Sequence, residues 1–208
     1  MNDENEIKVK IIEASIDEIN ENGLKFTMDK LAKRLVMSKK TIYKYFENKE
    51  KLLDEVVDYS FDQIQLSKKK VMRDFSLDTV ERLHKILQAM PDRYENLNLV
   101  QLYQLKDKYP DIYSHVERRL ESDWEMTIKL LNQGKKEGKI MDIHIPIFKT
   151  MMSATIEQFF KEDILVTNKI SYKEALMEVV NILMNGMVYF LMRLWQMPLW
   201  TGFCIMHM

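Results

Sequence analysis

Apolar residues Ile7, Ile11, Ala14 and Ile19 recur at helical spacing, with Ile12 and Ile16 widening the stripe, until Asn22 and Gly23 interrupt it. The pattern predicts an amphipathic helix over residues 7–22 with a glycine stop. Three short polar side chains then stand directly ahead of apolar-periodic runs: Thr27 before Met28 to Leu35, Ser38 before Lys39 to Phe46, and Asn48 before Lys49 to Leu53. Each can accept from the free N–H groups of a helix start, so two short helices and the start of a long one are expected. Segments 49–72, 76–90, 98–107, 111–137, 146–163 and 171–195 also carry apolar positions at helical spacing, separated by Pro91, Pro110, Gly134 with Gly138, and Pro146. No stretch alternates as a strand would, and the predicted fold class is all-α.

Residues 27–46 carry a more specific geometry. Two helices of about two turns joined by a short turn form a helix-turn-helix, whose second helix enters the major groove of DNA. Leu31, Ala32, Leu35, Met37, Ile42 and Phe46 fall where they can pack the pair together and onto the first helix. That leaves Lys39, Lys40, Tyr43 and Lys44 pointing outward, with Thr41 near the helix start, in reach of bases or phosphates. The helix starts led by Thr27 and Asn48 can each hold a phosphate oxygen, with Lys49 adding charge.

Composition narrows the class. In 208 residues, 46% are hydrophobic, and five Gly and four Pro are too few for a linker-like or collagen-like chain. A single Cys, Cys204, excludes an internal disulfide framework. The polar start MNDENEIKVK lacks the cationic and apolar runs of a signal peptide, and a cytoplasmic location is expected. The net charge of −1 hides a division: residues 25–51 hold nine basic and three acidic side chains, a balance of +6, which leaves −7 for the rest. One face suited to phosphates on an otherwise acidic body is what such segregation provides. Nothing announces an enzyme. No GxSxG, HExxH or GxGxxG occurs, His84, His115, His144 and His207 lack metal spacing, and the Gly134–Lys139 run departs from a phosphate loop, so no metal and no cofactor is expected.

The apolar stretch from Met187 to Met208 is long enough to span a bilayer, but Arg193, Gln196 and Pro198 in its middle argue against that. A buried last helix to about Gln196, followed by an apolar tail packed on the body or on a partner, is the expectation. In the segments at 146–163 and 171–195, small residues (Ser153, Ala154, Ala175, Gly186) stand beside Ile147, Met151, Phe159, Val179, Ile182 and Phe190. This mixture suits close pairing of two copies as a four-helix bundle, or else a buried single-chain core.

The run from Thr27 through Ser38-Lys39-Lys40-Thr41-Ile42-Tyr43-Lys44-Tyr45-Phe46 to Asn48-Lys49-Glu50-Lys51-Leu52-Leu53 resembles the DNA-binding domain of the TetR/AcrR family of bacterial transcriptional regulators. Gly134 to Ile140 resembles that family's turn after its seventh helix. The resemblance implies an all-helical homodimer, with a three-helix head over residues 1–48 and a roughly six-helix effector-binding and dimerising body over 49–208. It implies a repressor released from a palindromic double-stranded DNA operator by a small, largely apolar effector. By this resemblance Ser38, Lys39, Lys40, Thr41, Tyr43 and Lys44 face the groove, and Thr27, Tyr45 and Lys49 hold phosphates. Tyr103, Trp124, Met126, Phe148, Met152 and Phe159 lie on helices that line the family's pocket. The dimer residues would be Ile147, Met151, Ala154, Phe159, Val179, Ile182, Gly186 and Phe190. The family has Gly at the turn position filled here by Val36, and a β-branched residue resists positive φ, which leaves room for a different turn conformation. Val36 and the apolar tail are the motives for another reading, a helical dimeric protein-interaction or membrane-linked sensor whose head does not read DNA.

Overall fold

The computed structural model describes residues 3–91, 99–161 and 164–196, and among these residues there are helices and no strand. The chain opens with α1 (Asp3–Asn22), which begins four residues before the predicted start and buries Ile11, Ile12, Ala14, Ile16 and Ile19. It stops at Gly23, whose φ of +63° is open to glycine, and a tight turn over Gly23–Lys25 follows. Next come α2 (Met28–Arg34), α3 (Lys39–Tyr45) and the long α4 (Lys49–Met72). Each begins at its expected cap. Thr27 Oγ1 accepts from the Lys30 N–H at 3.2 Å, Ser38 Oγ from Thr41 at 3.0 Å, and Asn48 Oδ1 from Lys51 at 2.9 Å. Leu31, Ile42 and Leu52 are wholly excluded from water, with Phe46 and Leu53 nearly so. At about 1.5–3 kcal/mol for each such side chain, this core fixes how the three short helices lie.

The turn between α2 and α3 keeps the left-handed geometry in spite of its residue. Val36 has φ +53°, the Met37 N–H donates to the Ala32 carbonyl at 2.9 Å, and the Val36 N–H donates to Lys33 at 3.1 Å. That is the hydrogen-bond pattern of a Schellman stop, with valine in the place usually given to glycine. Gly138, at φ +67°, ends a later helix through the same two bonds, from Lys139 to Gly134 at 2.9 Å and from Gly138 to Lys135 at 3.1 Å.

A buried carboxylate clamps α2 to α1. Glu18, 2% exposed, accepts from Arg34 Nη1 at 3.1 Å and Asn22 Nδ2 at 2.9 Å, and it pairs with Lys30 Nζ at 3.1 Å. Arg34 also grips Glu21 through two bonds of 2.7 and 2.8 Å, which holds the Glu21 carboxyl below its ordinary range.

The body consists of α5 (Thr79–Leu87), α6 (Leu99–Lys108), α7 (Pro110–Ser122), α8 (Glu125–Lys136), α9 (Ile145–Lys161), the single turn α10 (Ile164–Thr167) and α11 (Tyr172–Gln196). The helix expected over 111–137 is two helices. At the break, Trp124 Nε1 donates to the Leu120 carbonyl at 2.8 Å and Lys68 Nζ to the Asp123 carbonyl at 3.3 Å, so side chains satisfy carbonyls that the helix gives up. Gly134 is no helix stop either. It lies buried inside α8, where an added Cβ would meet Ile140 Cγ1 at 2.9 Å, too close for any side chain. Around Leu83, Ile86, Leu130, Leu131, Met152 and Val180 these helices enclose a second core. The first core reaches past the head to Leu105, Ile112 and Tyr113 on α6 and α7. No helix among the described residues is long and apolar enough to cross a membrane. The tail expectation for residues 197–208 lies outside the described residues.

Candidate nucleic-acid interface and effector pocket

The outward face of α3 follows from its anchor. With Ile42 wholly buried and Phe46 at 2% exposure, Lys39, Lys40, Tyr43 and Lys44 stand on the solvent side. Lys39 and Tyr43 are four residues apart, as are Lys40 and Lys44, so the four make one compact patch. Among the described residues Lys40 and Tyr43 have no partner, and Tyr43 is 47% exposed. The other two lysines meet carboxylates: Lys39 pairs with Asp29, and Lys44 with Glu4 at 2.8 Å. That hydrogen bond raises the Lys44 ammonium above, and lowers the Glu4 carboxyl below, its ordinary value. Both pairs are exposed, and such pairs are worth at most about 1 kcal/mol, so either lysine can exchange its carboxylate for a phosphate at small cost.

The remaining predicted contacts divide between backbone support and surface. Ser38 Oγ caps α3 and lies 2.8 Å from Thr41 Oγ1, so these two hydroxyls already serve the helix start. Thr27 caps α2. Tyr45 packs partly into the first core, with Lys44 Nζ 5.4 Å from its ring centre. Lys49 turns inward: its Nζ donates to the Leu24 and Phe26 carbonyls, both at 2.6 Å, and stands 4.2 Å from the Phe26 ring centre. Burial, and then the charge of Lys108, pull this ammonium below the usual lysine range. Two of its three donors thus tie the α1–α2 loop to the start of α4, and one remains for a phosphate.

Helix α4 carries the head's position into the body. Asp54, Asp58 and Asp62 recur every four residues along it and face α7, where Arg119 meets Asp58 at 2.7 Å and Asp62 at 2.8 Å. His115 on α7 lies 2.7 Å from Asp54 and 3.1 Å from Asp58. On the other side, Lys8 and Glu13 of α1 bond to Glu55 and Tyr59, each at 2.8 Å. The matching spacing of acids on α4 and bases at 115 and 119 is a legible signal that sequence reasoning passed over.

Below this seam lies a cavity of about 100 Å³ between α4, α5, α7, α8, α9 and α11. Of the expected ligand contacts, Trp124 and Met152 line it. Phe148 is buried and meets Trp124 edge-on at 6.3 Å, Phe159 meets the lining residue Tyr172 in the same way at 6.3 Å, and Met126 packs into the surrounding core. The Tyr103 side chain lies outside the described residues. Lys68, Arg119, Asp123 and Ser153 contribute to the polar lining, and of these only Arg119 carried a linear signal, through its spacing from His115. Burial, against the opposing charge of Asp123, lowers the Lys68 ammonium, and burial alone raises the Tyr172 phenol.

Two apolar stripes remain exposed. Ile147, Met151 and Ala154 follow one face of α9, and Ile182 and Gly186 one face of α11, with Val179 and Phe159 partly covered. The Phe190 side chain lies outside the described residues.

The family described as "Bacterial regulatory proteins, tetR family" matches residues 11–56. A Bacillus subtilis (strain 168) protein named "Uncharacterized HTH-type transcriptional regulator YvaF" is 27% identical over 168 residues, covering 81% of this chain and 88% of that protein. The fold is similar to a putative TetR-family transcriptional regulator from Rhodococcus sp., with a TM-score of 0.68, 15% identity and coverage of 88% and 99% of the two chains. It is also similar to the transcriptional regulator FadR from Bacillus subtilis in complex with stearoyl-CoA, with a TM-score of 0.59, 21% identity and coverage of 86% and 97%. Residues 11–56 thus match the tetR-family model, and the two-part helical fold around them is similar to that of solved TetR-family regulators.

Proposed function

We propose that this chain is a transcriptional regulator of the TetR/AcrR type that works in the cytoplasm as a homodimeric repressor, released from a palindromic operator by a small, largely apolar effector in the body cavity. One observation carries the DNA-reading part: Lys40 and Tyr43 stand side by side on the outward face of α3 with no competing partner among the described residues. Their positions are set by a capped helix locked to its core through Ile42, which suits them to reading base edges while Lys39, Lys44 and the helix starts hold phosphates. The exposed stripe Ile147, Met151 and Ala154, with Val179, Ile182 and Gly186, supports pairing of two copies. At Gly186 an added Cβ would meet nothing within 4 Å among the described residues, which leaves its surface open to a second copy.

Control follows from linkage. Helix α4 starts at the cap beside α3 and ends at the cavity, so an effector that prefers one setting of α4 also prefers one spacing of the two heads. Successive major grooves on one side of DNA lie about 34 Å apart. An effector that favours heads out of that register weakens operator binding by the factor by which DNA weakens effector binding. Enrichment of duplexes from a random pool by the purified chain tests the reading. It predicts a recovered inverted repeat and a complex of two chains per duplex; recovery of no sequence preference would refute it.

A further inference from the structure

We infer that the body cavity takes a small apolar carboxylic acid as its anion, with the carboxylate received by Lys68 Nζ and Ser153 Oγ. This inference rests on the effector-controlled reading above and names the chemistry of its ligand.

The walls are apolar on most sides, through Phe61, Ile86, Trp124, Met152 and Leu176. Against them stand three charged side chains, and their commitments differ. Arg119 is taken by Asp58 and Asp62, and its Nη2 lies 3.5 Å from Asp123 Oδ2. Lys68 has one bond, to the Asp123 backbone carbonyl at 3.3 Å, and no carboxylate within ion-pair distance among the described residues. Among the described residues two of its three N–H donors therefore remain open. Ser153 Oγ also lines the cavity and is buried without a hydrogen-bond partner.

Arg119 is held by Asp58, Asp62 and Asp123, so Lys68 is the lining cation that no carboxylate meets at ion-pair distance among the described residues, with the charge of Asp123 acting on it from farther off. A partly desolvated ammonium gains most from an anion and loses most from a second cation. A carboxylate supplies acceptors for both open Lys68 donors and for the Ser153 hydroxyl. A neutral alcohol or amide leaves the charge uncompensated. The size agrees with a small ligand, since a cavity of about 100 Å³ is comparable with the roughly 150 Å³ that holds benzene.

Lys68 is also well placed for control. It lies on α4, about 30 Å along the helix from the Asn48 cap. An anion that draws Lys68 away from the Asp123 carbonyl loosens α4 from the α7–α8 junction, the same helix that positions the head.

Calorimetric titration of the full-length chain with benzoate, hexanoate, benzamide and hexylamine tests this. Benzoate or hexanoate should bind at least tenfold more tightly than the amide and the amine, and Lys68→Met, checked for folding by circular dichroism, should erase that preference. Equal binding of benzamide or hexylamine in the wild type would overturn the inference, as would no carboxylate binding at millimolar concentration or undiminished carboxylate binding by Lys68→Met. A parallel gel shift separates the two readings. Carboxylate binding that depends on Lys68 but leaves a bound duplex in place keeps the site and removes the effector role. Release of duplex by hexylamine keeps the effector role and removes the carboxylate.

Discussion

The head and the body solve opposite problems with the same element. In the head, short helices are closed by charge and caps: Glu18 gathers Arg34, Lys30 and Asn22, and three polar side chains, Thr27, Ser38 and Asn48, start three successive helices. In the body, long helices enclose a cavity, and two buried polar atoms on its wall, Asp123 Oδ2 and Ser153 Oγ, have no hydrogen-bond partner among the described residues. In the head one buried atom, Asn20 Oδ1, lacks a hydrogen-bond partner among the described residues, and the caps and the Glu18 clamp still hold one fixed surface, as reading a groove requires. An unsaturated cavity tolerates rearrangement and leaves polar atoms for a ligand to meet. The comparison also limits the charge argument. Within the basic segment Arg34 and Lys30 serve Glu18 and Lys49 serves the loop, so the face offered to DNA is narrower than the +6 balance of residues 25–51.

Glu18→Ala should cost about 2 kcal/mol in urea unfolding, because it removes the buried acceptor shared by Lys30, Asn22 and Arg34 while Arg34 keeps Glu21; a loss below about 1 kcal/mol would show that packing alone holds the head. Lys40→Ala and Tyr43→Phe should each weaken duplex binding by roughly 1–3 kcal/mol in a gel-shift titration, while their unfolding midpoints stay unchanged. Lys39→Ala and Lys44→Ala should cost less, since each lysine must first leave Asp29 or Glu4.

Smaller effects sharpen the contrast between helix stops. Val36→Gly should stabilise the chain by about 1 kcal/mol in thermal or urea unfolding, because left-handed backbone is costly for a side chain and free for glycine. In the body, Asp78 caps α5 with a reciprocal capping box to Glu81. Asp78→Ala should cost about 1 kcal/mol at pH 7. The Glu81 backbone N–H holds the Asp78 carboxyl below its ordinary 3.8. Its contribution is therefore complete above pH 3.8 and lost as pH falls through the lower folded value. Unfolding curves of both chains should converge in that acidic window.

Local chemistry decided what could be read in advance. Thr27, Ser38 and Asn48 act within three residues of themselves, so the caps, the helix order and the outward face of α3 were visible in the residues alone. Lys49 was legible as a cation beside the interface, but its inward turn depends on carbonyls more than twenty residues away. The break between α7 and α8 was hidden for the same reason, since Lys68 supports it from across the fold. The cavity is the extreme case: its polar lining comes from three separate helices and the α7–α8 junction, and apart from Arg119 and Asp123, four residues apart, no spacing in the sequence joins them. At Val36 the sequence signalled a conflict, and the structure resolves it in favour of the turn.

Helix α3 as a phosphate- and base-contacting surface is the central claim, and the salt dependence of duplex binding tests it most directly. With several lysines displacing counterions, the logarithm of the binding constant should fall with the logarithm of salt concentration at a slope of about −3 or steeper, and Lys40→Ala should reduce that slope by about one. A flat line for the wild-type chain, or the same slope and affinity for Lys40→Ala, would contradict the account.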